Sequence, residues 1–382
     1  MRSLRTNFSA AVLFWAILSA QFPVLAEGAT GDSPDKRFFT QLIEGARKEK
    51  QVYLYLISSG SDQVVSGFKS YLQRLGLNIE VKADVTGGSF QKISQAIGET
   101  RQGIVPTFDV QYGATHELIH LMEVKGIKRI DNVEPLLSEI APQALPVLDK
   151  LSPGLFSGRA FTFGHWIKAI IYNTKLISTE DLPKTHIELG DPKYKGTFAL
   201  PPWTTDAESA LLVHDKEKAL EIVKGIGTNK AATEASEESA VNRVLLGEFK
   251  FANANAHYYH DFKGRDSRAP IGLEFFRDYT IVSESMYFLR EGARSPNAAT
   301  LFVLWTLSKE GQEVFEKAAS QPNLYLPSSQ IGREILGMFK TRKVRAVSWV
   351  ENEESFKKLR WLAQTEEGKA WAGAIAKAWR GR

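Results

Sequence analysis

The sequence predicts an α/β fold with two lobes, on two observations. From residue 52 onward, strand-like runs alternate with segments of helical periodicity, which is typical of a parallel sheet covered by helices. The chain also has 382 residues, more than the roughly 250 to 300 at which a single hydrophobic core stops growing. We therefore expect two α/β lobes that receive ligands at the carboxyl ends of their strands.

Three strand and helix pairs are predicted in the first lobe. The strands span 52–58, 78–82 and 108–112, and the helices after them span 64–72, 90–97 and 115–124. The first strand ends at a polar turn that contains Gly60, after which Val64, Phe68 and Leu72 recur at helical spacing. Repeated units of this kind indicate a parallel sheet.

The second lobe and the C-terminal segment are predicted from weaker patterns. Strands are expected at 169–172, 197–200 and 249–252, short helices at 216–223, 237–246 and 257–262, and long helices at 296–317 and 356–379. Because the last of these carries Trp361, Trp371 and Trp379, we interpret it as a helix that packs on the protein rather than one that lies on a membrane.

The first 26 residues have the pattern of a secretory signal peptide. Arg2 and Arg5 precede a short apolar run at 10–20, and small residues at 24–26 suit cleavage before Glu27. The apolar run falls short of the roughly 20 residues that cross a bilayer. We therefore expect export to the periplasm, with cleavage near Ala26.

Composition excludes several classes of protein. Hydrophobic residues make up 43% of the chain and charged residues 24%, as in an ordinary globular protein. Without the leader, 46 basic residues face 44 acidic ones, a balance too even for a nucleic-acid-binding surface. The absence of cysteine excludes disulfides, a lipid-anchored cysteine, thiolate metal ligands and a cysteine nucleophile.

The order of several segments resembles the periplasmic binding proteins of the ferric-iron type, which also include binders of organic and anionic solutes. The resemblance rests on the segments 52–59, 106–110, 171–174, 190–196, 257–260, 295–299 and 307–312. It implies a hinged, two-lobed type II periplasmic-binding-protein fold with a ligand cleft between the lobes. The approximate segments are lobe 1 at 48–160 and 283–330, lobe 2 at 161–282, and a C-terminal helical segment at 331–382.

The same resemblance implies a monomeric solute-binding component of an ABC importer. Its partners would be a small ligand and, at the inner membrane, an ABC permease with its ATPase, with no nucleic acid. It would need no cofactor, although Fe3+ could be the ligand that it carries.

Candidate ligand contacts in the first lobe follow two predicted strands. Ser59, Ser61 and Asp62 come after the first strand, while Thr115 and His116 open the helix after the third. Backbone N–H groups at a helix start favour an anionic ligand. The alternative is that these side chains only cap helices, and both roles can coexist.

In the second lobe, Thr204 and Asp206 follow the strand that ends near Leu200, where the resembling family often has ligand contacts. Capping of the loop is the alternative. The aromatic content of the chain would also suit an organic cation, with Asp206 as its counter-charge.

Tyr258 and Tyr259 are the candidate metal ligands. They lie between a predicted strand and a predicted helix, where an irregular turn could direct both phenols at one ion. Phenolate oxygen suits ferric iron, and the resemblance places the tyrosine pair of ferric-binding relatives at these two positions. The rest of the relatives' site maps poorly, since Ala114 stands where the resemblance implies a glutamate at the start of the third helix. The alternative is that both tyrosines pack or hydrogen-bond in the cleft.

One motif favours an enzyme instead. His116, Glu117 and His120 form H-E-x-x-H on a predicted helix, the arrangement of a zinc-dependent metallopeptidase. Glu123 and Gly126 stand where the extended motif requires glycine and a third histidine. Motifs for serine hydrolysis, phosphate transfer and dinucleotide binding are absent from the sequence, so we expect no enzyme.

Overall fold

The computed structural model describes residues 34–57, 60–201, 203 and 205–381. The predicted signal peptide and the predicted ligand contacts Ser59 and Thr204 lie outside these residues. No helix in the described part of the chain is both long and apolar enough to span a bilayer.

Ten strands of the described residues form one mixed sheet. In chain order they are β1 Gln51–Tyr55, β2 Glu80–Asp84, β3 Val110–Ala114, β4 Ala160–Asn173, β5 Phe198–Leu200, β6 Ala232–Thr233, β7 Phe251–Asn255, β8 Ile271–Glu274, β9 Thr280–Leu289 and β10 Ala346–Val347. The spatial order is β2-β1-β3-β9-β4-β7-β5-β6, with β8 on β4 and β10 on β9. Pairs β1–β2, β1–β3, β5–β6 and β5–β7 are parallel, as the sequence predicts, but the pairs made by β4 and β9 with each other and with β3, β7 and β8 are antiparallel, so the prediction of a parallel sheet holds only in part.

The two long strands β4 and β9 connect the halves of the sheet. From Ala160 to Ile167, β4 pairs antiparallel with β9, and from Lys168 onward it pairs with β7 and β8. Strand β9 in turn pairs with β3 at its carboxyl end. The first half (β1, β2 and β3) and the second half (β5, β6, β7 and β8) therefore meet through these crossover strands.

Each half has its own hydrophobic core. The first is centred on Phe68, Phe302 and Trp305, with ring centroids of Phe68 and Phe302 5.0 Å apart. The second surrounds Phe198 and Phe251, whose rings stack at 5.1 Å. Separate cores confirm the two-lobed α/β fold, while the exact segment boundaries stay predictions.

Fifteen α-helices cover the described part of the sheet. They are α1 Pro34–Ala46, α2 Ser61–Arg74, α3 Ser89–Arg101, α4 Thr115–Glu123, α5 Val133–Ile140, α6 Leu148–Leu151, α7 Thr205–Glu208, α8 Lys216–Thr228, α9 Glu237–Leu245, α10 His257–Arg265, α11 Pro296–Trp305, α12 Lys309–Ala319, α13 Gln330–Arg342, α14 Glu353–Gln364 and α15 Glu366–Trp379. Short 3-10 helices lie at Pro142–Val147, Gly154–Phe156, Ile187–Gly190, Pro192–Tyr194 and Ser209–Leu212.

The sequence predicts two long helices near the C-terminus, and both predictions were wrong in length. In the structure each of these segments forms two shorter helices. Residues 296–317 divide at Ser308, whose side chain accepts a hydrogen bond from the backbone N of Gly311 and so starts α12. Residues 356–379 divide in the same way at Thr365, which accepts from the backbone N of Gly368. A short polar residue that caps a new helix outweighs the continuing apolar periodicity.

The C-terminal helices pack on both halves of the molecule. The ring of Phe356 on α14 lies 6.0 Å from that of Phe156, which belongs to the first half. Trp379 on α15 is buried in the core of the second half and donates to the carbonyl of Pro201 at 3.2 Å. This agrees with the interpretation of the terminal tryptophans as packing residues.

Candidate ligand-binding cleft

A cavity of about 510 Å³ lies between the two halves of the molecule. Its floor includes Trp166 of β4 and Ser283 of β9, which are paired across the crossover strands. They are also the one residue in each of these two strands that is not buried. The crossover strands are thus closed to solvent except where they meet the cavity.

The first wall of the cavity comes from β3 and from the starts of α3 and α4. It includes Ser89, Phe90, Tyr112, His116 and Glu117. Since β3 runs parallel to β1 and α4 begins directly after it, this wall stands at the carboxyl end of the strand, as an α/β fold predicts.

The second wall comes from β4, the loop after β5, α9, β7 and α10. It includes Lys168, Trp203, Glu237, Asn255 and Tyr258. Asn255 is the last residue of β7 and Glu237 the first of α9, so this wall also forms where parallel strands end and helices begin.

Glu117 is held at the start of α4 by two donors. Its Oε1 accepts from the Ser89 hydroxyl at 2.7 Å, and its Oε2 accepts from the backbone N of Ala114 at 2.9 Å. The carboxylate therefore satisfies an N–H group at the helix start and connects α4 to α3.

These contacts argue against the alternative interpretation of the motif as a metallopeptidase site. Glu117 caps a helix, and His120 lies at the other end of α4, half-exposed and 3.5 Å from Glu123. Within the described residues, no group of three or more histidines and carboxylates is placed to hold a metal ion. Of the two histidines in the motif, His116 alone lines the cavity.

A buried network joins Lys168, Glu237 and Asn255. The Lys168 ammonium forms an ion pair with Glu237. The same carboxylate accepts from Asn255 Nδ2 at 2.6 Å and from its backbone N at 3.1 Å. All three residues are at least nine-tenths buried, so the network fixes the second wall before any ligand arrives.

Aromatic rings project from both walls and are held by other side chains. Tyr112 stacks on Tyr55 at 5.2 Å, and Trp166 lies edge-on to His257 at 5.0 Å. Tyr258 lies 4.0 Å from the His257 ring. Phe90 and Trp203 stay exposed, at 70% and 40%.

Of the two tyrosines that the sequence offers as metal ligands, Tyr258 belongs to the described cavity lining and Tyr259 does not. Both pack on a hydrophobic cluster that contains Ile335 and Phe339, and the Tyr259 ring lies 5.2 Å from that of His260. Burial raises the pKa of the Tyr258 phenol above its usual value, and the carboxylates of Glu237, Glu238 and Asp261 raise it further. Both effects favour the neutral phenol in the protein without a bound metal ion.

Ser61, Asp62 and Thr115 are not part of the described cavity lining. Ser61 begins α2, and Asp62 follows it on an exposed surface. Thr115 is buried and donates to Glu284 Oε2 at 3.2 Å. Asp206 lies within α7, just after the segment that carries Trp203.

Sequence reasoning missed most of the second wall. Glu237 and Asn255 had a usable signal, because each stands at a strand end or helix start in an α/β fold. Trp166 and Lys168 had none, since they lie in the interior of β4, where the predicted strand did not begin until residue 169.

Two α/β halves joined by crossover strands, with a cleft lined from both, define the class of two-lobed solute-binding proteins. Residues 68–323 match the sequence model described as bacterial extracellular solute-binding protein. The chain belongs to this family.

Two curated relatives are named for ferric iron. The chain is 28% identical over 167 residues to the Fe(3+)-binding periplasmic protein of Serratia marcescens, covering 40% of this chain and 49% of that protein. It is 25% identical over 193 residues to the major ferric iron-binding protein of Neisseria meningitidis serogroup B, covering 47% and 56%. The chain thus spans about half the length of the curated relatives it matches.

Solved structures with the same fold hold different ligands. Iron-bound HitA from Pseudomonas aeruginosa matches with a TM-score of 0.61 at 19% identity, over 86% of this chain and 97% of that one. AfuA from Actinobacillus pleuropneumoniae with fructose-6-phosphate bound matches with a TM-score of 0.60 at 18% identity, over 85% and 98%. At these identities the likeness shows the fold.

Proposed function

We propose that this protein is the periplasmic solute-binding component of an ABC importer. It captures a small ligand between its lobes and delivers it to a membrane permease and its ATPase. The observation that carries the proposal is the cavity of about 510 Å³, which is lined from both halves and floored by the crossover strands. Its size falls in the range of small-molecule sites.

A ligand in this position favours closure, because it contacts both lobes at once. Glu117 and Trp203 line opposite walls of the cavity. A ligand makes contacts with both residues at once when the walls approach each other. A ligand shifts a hinge equilibrium by its difference in affinity for the two states, so contacts from both lobes are the requirement.

Two ligand classes are supported by different observations. Ferric iron is favoured by the names of the two curated relatives and by the position of Tyr258 on the cavity. In that case Tyr258 and Tyr259 are the proposed protein ligands, with a bound anion or water completing the set. A small organic solute is favoured by the five aromatic rings that line the cavity.

Native mass spectrometry and metal analysis of protein purified from periplasmic extract test the proposal. We expect one retained small molecule or ion per chain, and a mature chain that begins near Glu27. A protein that retains nothing, and that stays with the membrane pellet at full length, would contradict both the binding function and the export.

A further inference from the structure

Aromatic side chains line both walls of the cleft. Phe90 and Tyr112 lie on the first wall, and Trp203 and Tyr258 lie on the second. In this structure the Lys168 ammonium already lies 5.7 Å from the Trp203 ring centroid. Aromatic faces attract cations through the ring quadrupole, and clusters of such rings bind quaternary ammonium groups.

Carboxylates outnumber ammonium groups among the lining side chains. Glu117 and Glu237 face a single lysine, Lys168, which is ion-paired with Glu237. Each oxygen of Glu117 accepts one hydrogen bond from the protein, from Ser89 or from Ala114. Since a carboxylate oxygen has two acceptor positions, Glu117 retains capacity for a donor on the ligand.

A second, independent observation points to the same chemistry. Asn255 is 7% exposed and lines the cavity. Its amide orientation is set by Glu237, because the carboxylate can accept only from the Nδ2 side. Asn255 Oδ1 is then a buried acceptor without a donor among the described residues. A buried acceptor of this kind favours a ligand that carries N–H groups.

Two helix starts at the cleft, those of α4 and α9, carry a carboxylate, whereas the start of α3 at Ser89 carries none. The Glu117 carboxylate occupies the start of α4 by accepting from the Ala114 backbone, and Glu237 is the first residue of α9. An anionic ligand would meet these two carboxylates at close range.

From these features we propose that the ligand is a small organic cation, a solute with a protonated amine, amidine or guanidine group or a quaternary ammonium group. Its charge lies among the aromatic rings, and where the cation carries N–H groups Glu117 and Asn255 accept hydrogen bonds from them. This inference rests on the proposed function, whose cleft it uses.

Matched pairs of probes test the charge directly on the mature protein. Benzamidine is compared with benzamide, and choline with 3,3-dimethylbutan-1-ol, by isothermal titration calorimetry, alongside citrate and ferric citrate. We expect each cation to bind at least about tenfold more tightly than its neutral partner and than either citrate probe. Neutral, anionic or ferric probes that bind as tightly as the cations would overturn the inference and leave the binding function intact.

Failure of both cations to bind would also overturn the inference. The proposed function is then judged separately, by whether the periplasmic preparation retains a ligand. The two failures are thereby distinguishable.

A variant that removes the charge of Glu117 tests whether this residue contacts the cation. Glu117→Gln should weaken benzamidine binding by about tenfold, whereas Glu123→Gln, the same change at the far end of α4, should leave it within about twofold. Tyr258→Phe keeps the ring and should retain cation binding within a few-fold. Equal effects of the two glutamate variants, or loss of binding in Tyr258→Phe, would contradict the assignment. Circular dichroism establishes that each variant is folded.

Discussion

Trp166 and Ser283 are register partners across β4 and β9, and both line the floor of the cleft. The crossover strands are otherwise buried, so this pair is the place where the connection between the lobes meets the ligand space. A substitution here changes the volume of the cavity without entering the core of either lobe.

Ser283→Phe should block the cleft. The ring would project from the floor into the cavity, so we expect ligand affinity to fall by at least about tenfold while the melting temperature changes by only a few degrees. Ser283→Ala at the same position removes the hydroxyl alone and should retain binding. Calorimetry on both variants checks this, and unaltered binding by Ser283→Phe would mean that the ligand lies elsewhere.

The stability of the fold should fall in mild acid because of His165. This residue is 1% exposed, and burial lowers its pKa to about 3, against the smaller opposing effect of a hydrogen bond with the Pro322 backbone. The unfolded side chain titrates near 6.5, so the unfolded chain binds the extra proton first. His165 therefore does not lower the free energy of unfolding above about pH 6.5. Between about pH 6.5 and 3 it lowers that free energy by about 1.4 kcal/mol for each pH unit.

Urea unfolding between pH 7.5 and 5.0 measures this dependence. His165 Nδ1 accepts a hydrogen bond from the Leu324 backbone N at 3.1 Å, and His165→Asn keeps an acceptor at this position. The variant should reduce the slope of unfolding free energy against pH by the equivalent of about one proton. His120→Gln changes a half-exposed histidine and serves as the control. A profile that is equally steep in His165→Asn would show that other groups dominate.

Gly311→Ala should destabilise the protein by at least about 2 kcal/mol. A Cβ at Gly311 would clash with the carbonyl oxygen of Trp305 at the end of the preceding helix. Gly337, on α13, has open space around it, so Gly337→Ala should be neutral or stabilise by up to about 1 kcal/mol. Denaturant unfolding compares the two, and similar effects would contradict the described break between α11 and α12.

The first lobe could be predicted from the sequence because its strands and helices have clear periods. The helix through Val64, Phe68 and Leu72 and the following strand-helix units occur where the pattern indicates, with ends that differ by a few residues. Strand β9 and most of β4 were missed because residues buried on both faces give no alternation of polar and apolar side chains.

The candidate site was predicted less completely than the fold. His116 and Tyr258 were chosen from helix starts, and both line the cleft. Trp166 and Lys168 reach it only because a long strand passes between the lobes, which depends on pairing with β9 and β7. Such tertiary placement leaves no local pattern in the sequence.

Ferric citrate should leave the apo protein colourless. Tyr258 belongs to the described cavity lining and Tyr259 does not, so one phenol of the pair faces the ligand space. We therefore expect no phenolate-to-iron charge-transfer band in the visible spectrum. A band that disappears in Tyr258→Phe, but persists in Tyr53→Phe as a control away from the described cavity lining, would establish iron as the ligand and contradict the organic cation.

The central claim is that one ligand is held by both lobes, and truncation of one exposed ring on each wall tests it most directly. The affinity of the ligand that purifies with the protein is measured for Phe90→Ala and Trp203→Ala, with Ile104→Ala and Leu246→Ala as controls at exposed apolar residues away from the described cavity lining. We predict that each site variant loses at least about tenfold in affinity and that both controls stay within about twofold. Binding that survives the loss of either ring would place the ligand on a single lobe and contradict the account.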